Sequence, residues 1–223
     1  MISAPDPYEL AAGTWNQPIG YTDAWGGVGE PWTWLLLGRT YIFDGTHWKT
    51  PTNGGVCFDL NRAGGMSSPE ELQFFDTGLA TFIGAAGREF QGGALWQNDA
   101  SKALLLKWTS TLKRFRAVLN GDIVHVLKPS GRQYDALMHV LPSAAPGEPA
   151  GFVLIYNPST TAAANVSTAL SVYYCGFSVG ANVRVEWDDG STEQATQDAF
   201  FSLRLRRLVP ALGYVWAALT ELP

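Results

Sequence analysis

The chain has 223 residues, a formal net charge of −5, and a composition that is 46% hydrophobic, 16% charged and 13% aromatic. That length accommodates one large domain or two small ones with cores that need no disulfide, and the composition excludes the disordered and fibrous classes. The acidic balance argues against a sequence-independent grip on nucleic acid, which needs clustered Lys and Arg. The one basic run, Arg204, Arg206 and Arg207, alternates with Leu203, Leu205 and Leu208 and reads as the wet face of a strand.

In chain order, the first unusual stretch is TWNQPIGYTDAWGGVGEPWTW, residues 14 to 34, which has four tryptophans among glycines and prolines and no helical or strand period. Tryptophan is costly to leave wet, and such a loop cannot bury several in a conventional core. Either a second layer covers the rings or a ligand uses them. Through residue 66 the chain then alternates short apolar bursts with loops. WTWLLLGRTYIFDG ends in Asp44-Gly45, and GGVCFDLNRAGG holds its burst between glycine pairs. These read as buried strands, or one short helix and then strands.

Ser68-Pro69-Glu70-Glu71 predicts a helix start, with Ser68 as N-cap, proline in the first helical position and Glu71 reaching back. Leu72, Phe75, Leu79, Phe82 and Ile83 follow at helical spacing. A second helix is predicted from Asn98 or Asp99, with Leu105, Trp108, Leu112, Phe115 and Leu119 on one face and Lys102, Lys113, Arg114 and Arg116 outside it. It is expected to stop at Asn120-Gly121 in a left-handed cap.

Beyond Gly121 the pattern changes to seven strand-like segments: IVHVLKP, YDALMHVLP, GFVLIYNPS, ALSVYYCGF, NVRVEWDDG, AFFSLRLRRL and GYVWAALTEL. Their regular spacing predicts an antiparallel sandwich of about 100 residues. The expected architecture is therefore α/β plus all-β, with residues 1–120 a parallel strand-and-helix half and residues 121–223 an antiparallel β-sandwich domain. An eight-stranded barrel needs about 250 residues, so a barrel-like first half would be only its last β/α units.

Cys57 and Cys175 lie in apolar settings with no CxxC and no histidine at metal spacing, and read as buried thiols with a disulfide as the alternative. Asn165-Val166-Ser167 is a glycosylation sequon that matters only in a secreted chain. Residues 1 to 20 show no basic start followed by an apolar run, and no stretch of about 18 apolar residues predicts a membrane span. No phosphate loop, dinucleotide fingerprint or metal cluster implies a cofactor. Localisation and oligomeric state are not legible.

The order of elements, together with LATFIGAAG, SKALLLKWTSTLKRFRAVLN and GFVLIYNPS, resembles the α-galactosidase-like clan of glycoside hydrolases. The resemblance rests on Lys107, Trp108, Lys113 and Arg116 in the last helix and on Tyr156-Asn157-Pro158 after a strand. It covers residues 70 to 175 well and the first 66 loosely. It implies late units of a (β/α)8 barrel followed by a β-sandwich, with a carbohydrate ligand. In such enzymes two carboxyl groups flank the glycosidic bond. In this clan the nucleophile lies near the middle of the barrel and the acid/base later, so only the acid/base would fall in this chain. The resemblance implies Asp23, in GYTDAWGG, for that role.

Asp44 in YIFDGTHW and Asp59 in CFDLNR end apolar strands, where barrel sites sit, although each also reads as a turn residue. Asp188-Asp189-Gly190 reads as a hairpin tip. Trp15, Trp25, Trp32, Trp34 and Trp48 suit the flat C–H faces of sugar rings, the alternative being that they cover the barrel top or pack against the β-domain. His47 is placed to bond a hydroxyl or to face solvent, whereas His125 and His139 read as structural. Three functional readings stay open: a glycoside hydrolase or its carboxy-terminal part, a non-catalytic carbohydrate-binding or structural module, and a fragment that begins at Met1 and has no independent function.

Overall fold

The computed structural model describes residues 42–43, 48–49, 57–59, 69–84, 89–91, 96, 98–126, 134–157, 161–211 and 213–223. The chain divides into two compact units, residues 1–110 and 111–223, and the division falls within the helix Asp99–Arg114.

In the first unit, β1 (Ile42–Phe43) and β2 (Trp48–Lys49) pair antiparallel. Strand β3 (Cys57–Asp59) is followed by helix α1 (Pro69–Gly84) and then by β4 (Glu89–Gln91), which pairs parallel to β3. Parallel neighbours cannot be joined by a tight turn, and α1 is the crossover that this pairing demands. The helix begins at the proline read as its first residue, where no N–H is missed. Phe75, Leu79 and Ile83 are buried at the expected spacing.

Helix α2 (Asp99–Arg114) starts with a reciprocal cap: Asn98 Oδ1 accepts from the Ser101 N–H at 2.9 Å, and Ser101 Oγ accepts from the Asn98 N–H at 3.1 Å. Ser101 thus plays the part that Glu or Gln plays in the usual capping box. Trp108 is buried, and its indole N–H donates to Asp76 of α1 at 2.7 Å. Lys107 pairs with the same carboxylate at 3.3 Å. The lysine and tryptophan of the resemblance thus tie α2 to α1.

The predicted helical face continues into the second unit with one interruption. The α-helix breaks at Phe115 and restarts as α3 (Arg116–Leu119), with Phe115, Val118 and Leu119 buried. Lys102, Lys113, Arg114 and Arg116 are exposed, as the spacing predicts.

The helical segment ends where the sequence placed its end, but not with a left-handed cap. Asn120 lies at φ −90°, ψ −2°, and Gly121 is absent from the described residues with positive φ. Glycine is needed at 121 because the backbone passes close to the next hairpin: a Cβ there would lie 2.1 Å from the Val140 carbonyl oxygen. The two uses of glycine look alike in sequence.

Eight strands follow: β5 (Asp122–His125), β6 (Asp135–Val140), β7 (Gly151–Asn157), β8 (Ala164–Ser171), β9 (Asn182–Trp187), β10 (Thr192–Thr196), β11 (Ser202–Val209) and β12 (Gly213–Glu221). Six form one antiparallel sheet in the order β10-β9-β12-β7-β6-β5, and β11 and β8 form a second. The expectation of an α/β half followed by an antiparallel sandwich is borne out.

The core lies between the sheets. Met138, Val153, Ile155, Val183, Val185, Val215, Ala217 and Leu219 come from the large sheet, and Val166, Leu170, Leu203 and Leu205 from the small one. Every residue of β7 is buried, as are the seven central residues of β12, so both strands read as continuous apolar runs rather than alternations. On the other face, Phe152 stacks on Trp216 at 5.0 Å and Phe115 meets both rings, at 5.1 and 5.4 Å.

Two readings change. The segment VYYC leaves its strand at Ser171 and forms a 3₁₀ turn at Tyr173–Cys175. Arg207 is not on the wet face, because strict alternation places it on the same side as Leu203, Leu205 and Val209. There its guanidinium lies 4.8 Å from the ring centre of buried Trp187 and pairs with Asp189, while Leu208 turns outward.

Candidate functional site

Sites in parallel sheets are built by the loops leaving the carboxyl ends of the strands, where neighbouring loops diverge and helix N-termini gather. The described pair β3–β4 offers one such end. Its register aligns Cys57 with Glu89, Phe58 with Phe90 and Asp59 with Gln91, so both strands finish level, on Asp59 and Gln91. Asp59 is thus the last residue of a parallel strand and opens the connection to α1. This is the position from which barrel sites draw their carboxylates.

The connection from β4 to α2 carries Trp96, which the sequence reading did not single out. Its ring is 43% exposed, with the Lys102 ammonium 5.2 Å from the ring centre. An exposed tryptophan under a lysine, between a parallel strand and a capped helix, offers an apolar plane beside a cation. The available signal was positional: Trp96 directly precedes the Gln97-Asn98 start of the second predicted helix.

Asp44 and His47 lie outside the described residues. The strands on either side of them pair antiparallel, Ile42 with Lys49 and Phe43 with Trp48, so this segment connects a hairpin rather than following a parallel strand. Trp48 opposes Phe43 across that pair. Asp23, Trp15, Trp25, Trp32 and Trp34 also lie outside the described residues. Among the described residues no group of three or more His, Cys, Asp or Glu side chains is arranged to hold a metal ion, and no helix is long and apolar enough to cross a membrane.

Three other polar positions prove to be structural. Asn157, from the Tyr-Asn-Pro turn, is buried, and its side-chain amide lies within hydrogen-bond distance of the carbonyls of Ala162, Pro210 and Val209 at 2.8, 3.0 and 3.2 Å, tying the end of β7 to its neighbouring turns. The tip between β9 and β10 holds Asp189, which accepts from the Ser191 N–H at 2.9 Å and from its hydroxyl at 2.5 Å. Those bonds and Arg207 hold its carboxyl down at about 2. Gly190 completes the turn with φ 81°. Cys175 is a buried free thiol, and desolvation pushes it up to about 12. The buried-thiol reading of Cys175 is borne out.

No family model matches the chain, and no curated protein sequence matches it. Solved structures do. One, from Bacteroides fragilis and assigned as an alpha-galactosidase, is 13% identical with a TM-score of 0.47, over 73% of this chain and 32% of its own. A β-L-arabinopyranosidase of glycoside hydrolase family 27 from Geobacillus stearothermophilus is 10% identical with a TM-score of 0.46, over 88% of this chain and 41% of its own. A protein from Bacillus halodurans assigned as an alpha-N-acetylgalactosaminidase is 14% identical with a TM-score of 0.44, over 69% of this chain and 31% of its own. The chain therefore spans a third to two fifths of the length of the solved proteins it matches.

Proposed function

We propose that the chain is the carboxy-terminal part of a glycosidase-like protein, with residues 1–120 contributing the last units of a (β/α)8 barrel and residues 121–223 its β-sandwich. The observation that carries this reading is the β3-α1-β4 unit, whose parallel strands end level on Asp59 and Gln91 directly before α2 and the sandwich. A carboxylate, an amide and the exposed Trp96 ring offer an acceptor, a donor and an apolar plane, the combination that hydroxyl-rich rings require. The ligand is a carbohydrate, bound by the loops of the first half around Asp23, Trp25, Asp44, His47, Trp48 and Asp59, with Trp15 and Trp96 as further ring platforms. Asp23, Asp44 and Asp59 are the candidates for the general acid/base.

A second reading has its own support. Glycoside hydrolysis needs two carboxyl groups across the bond, about 5 to 5.5 Å apart for retention, and Asp59 is the one carboxylate that the described strands place at a parallel carboxyl end. A non-catalytic carbohydrate-binding module needs no such pair. Screening the chain against aryl glycosides and against immobilised oligosaccharides separates the readings. Turnover supports an enzyme, binding without turnover a module, and silence in both a fragment.

A further inference from the structure

At one end of the β8–β11 pair the sandwich exposes aromatic rings that its core does not use. Tyr173 and Tyr174 are 58% and 56% exposed and Phe200 is 87% exposed. Tyr173 meets Tyr174 at 5.3 Å and Phe201 at 5.1 Å, both close to perpendicular, so Tyr173 stands between two rings that flank it edge-to-face.

The turn that presents Phe200 is fixed. Asp198 Oδ1 accepts from the N–H groups of Phe200 and Ser202, each at 2.8 Å. The Phe201 N–H donates to the Asp198 carbonyl at 3.1 Å, and the Phe201 carbonyl accepts from Val172 at 2.8 Å. Phe201 is held at φ 57°, the one non-glycine residue with positive φ among the described residues. Such a conformation persists only where the surroundings over-determine it, and sites are where it recurs. The backbone that carries Phe200 is therefore fixed, and the Tyr173 ring is braced by its two neighbours, which lowers the ordering cost of binding.

We propose that Tyr173, Tyr174 and Phe200 form an accessory carbohydrate-binding platform on the sandwich, distinct in its residues from the site at the end of β3 and β4. Flat exposed rings accept the C–H faces of sugars, while the tyrosine hydroxyls and the exposed Asp198 carboxylate offer partners to sugar hydroxyls. At the 150–250 Å² typical of a whole aromatic side chain, the exposed fractions amount to roughly 400 Å², about half of what each partner buries in a standard protein interface. A second copy of the chain is thus a poor fit, whereas a sugar unit or two covers such a patch. The acidic balance of the chain disfavours a nucleic acid strand.

The test is affinity electrophoresis of the whole chain through native gels containing galactomannan, xyloglucan or mixed-linkage β-glucan, with analytical ultracentrifugation alongside. The wild type is expected to be retarded in at least one gel. Phe200→Ala and Tyr174→Ala should each weaken the apparent affinity about tenfold, Phe200→Leu should weaken it as Ala does, and Phe200→Trp should preserve it. These side chains are exposed, so thermal melts should be unchanged. Gln194→Ala, in the exposed edge strand β10 of the other sheet, should leave the retardation intact, which assigns it to the platform and not to the sandwich surface in general. No retardation in any gel, retardation unaffected by the Phe200 and Tyr174 substitutions, or a concentration-dependent dimer abolished by Phe200→Ala would each overturn the proposal.

Discussion

The β3-α1-β4 unit and the sandwich use the same apolar residues for opposite purposes. In the sandwich, hairpins return each strand beside its neighbour, and the side chains that matter point between the sheets, where Val153, Val185, Leu203 and Leu219 leave no surface exposed. In the parallel unit, a helix must carry the chain back, so both strands release their loops at the same end and align Asp59 with Gln91 there. A hairpin sheet scatters its strand ends between two edges; a parallel sheet collects them. Chemistry is therefore expected in the smaller and less regular of the two regions, and stability in the larger.

That contrast yields variants of opposite signature. On the sandwich side the largest effect is expected from Phe152→Ala, which empties a fully buried site between Phe115 and Trp216 and should cost about 3–5 kcal/mol in chemical denaturation. Gly121→Ala should cost roughly 1–3 kcal/mol, because a Cβ forced against the Val140 carbonyl must displace backbone rather than a flexible side chain. If that variant is as stable as wild type, the close-approach account of Gly121 is wrong. In the first unit Asn98→Ala removes one half of the reciprocal cap of α2 and should cost about 1 kcal/mol, with the loss read as earlier helix fraying by amide exchange.

A further effect is electrostatic and appears only in base, with nothing lost at neutral pH. The Cys175 thiol rises from an ordinary 9.0 to about 12 through desolvation, so the unfolded chain loses its proton at lower pH than the folded one. Its contribution to stability is intact below pH 9 and is lost as pH climbs towards 12. In a Cys57→Ser background, native Cys175 should resist a thiol reagent at pH 8 and react once denatured. Rapid reaction of the native protein would contradict its burial.

What was legible in the sequence follows the same physical division. The β-strands that alternate, such as β9, and those that run continuously apolar, such as β7 and β12, were found because burial imposes a pattern on one face or two, whereas β8 was placed five residues late. Strand β10, reading TEQAT, escaped because it is an edge strand exposed along most of its length, with no burial to pattern it. The helical face from Leu105 to Leu119 was read correctly through a break at Phe115 that side-chain spacing does not register. Gly121 was placed at the helix end for the wrong reason, since a sequence does not show which carbonyl passes overhead. Arg207 was put on the wet side because three arginines in four residues look like a solvated face, and only the register shows one of them stacking on Trp187.

Of the candidate site, Asp59 could be read as a strand end, but not that its strand has a parallel neighbour ending level with it. That fact depends on β4, three residues reading EFQ with no signal of their own. Trp96 was passed over for the tryptophan-rich segment upstream, because clustering in sequence is easier to see than placement after a strand.

Substitution of the carboxylates in an active full-length form separates function from packing. Removal of a general acid typically costs about 10² to 10⁴-fold in rate, so Asp23→Asn should be nearly inactive and yet folded, and retained activity would move the role to Asp44 or Asp59. The most direct measurement is a backbone amide chemical-shift map of this chain, titrated with an oligosaccharide identified by the binding screen. Shifts are expected in residues 57–59 and 89–98, at the shared end of the parallel strands, and should be abolished by Trp96→Ala while the melting temperature holds. Shifts confined to residues 122–221, with the β3–β4 end silent at saturation, would contradict that expectation.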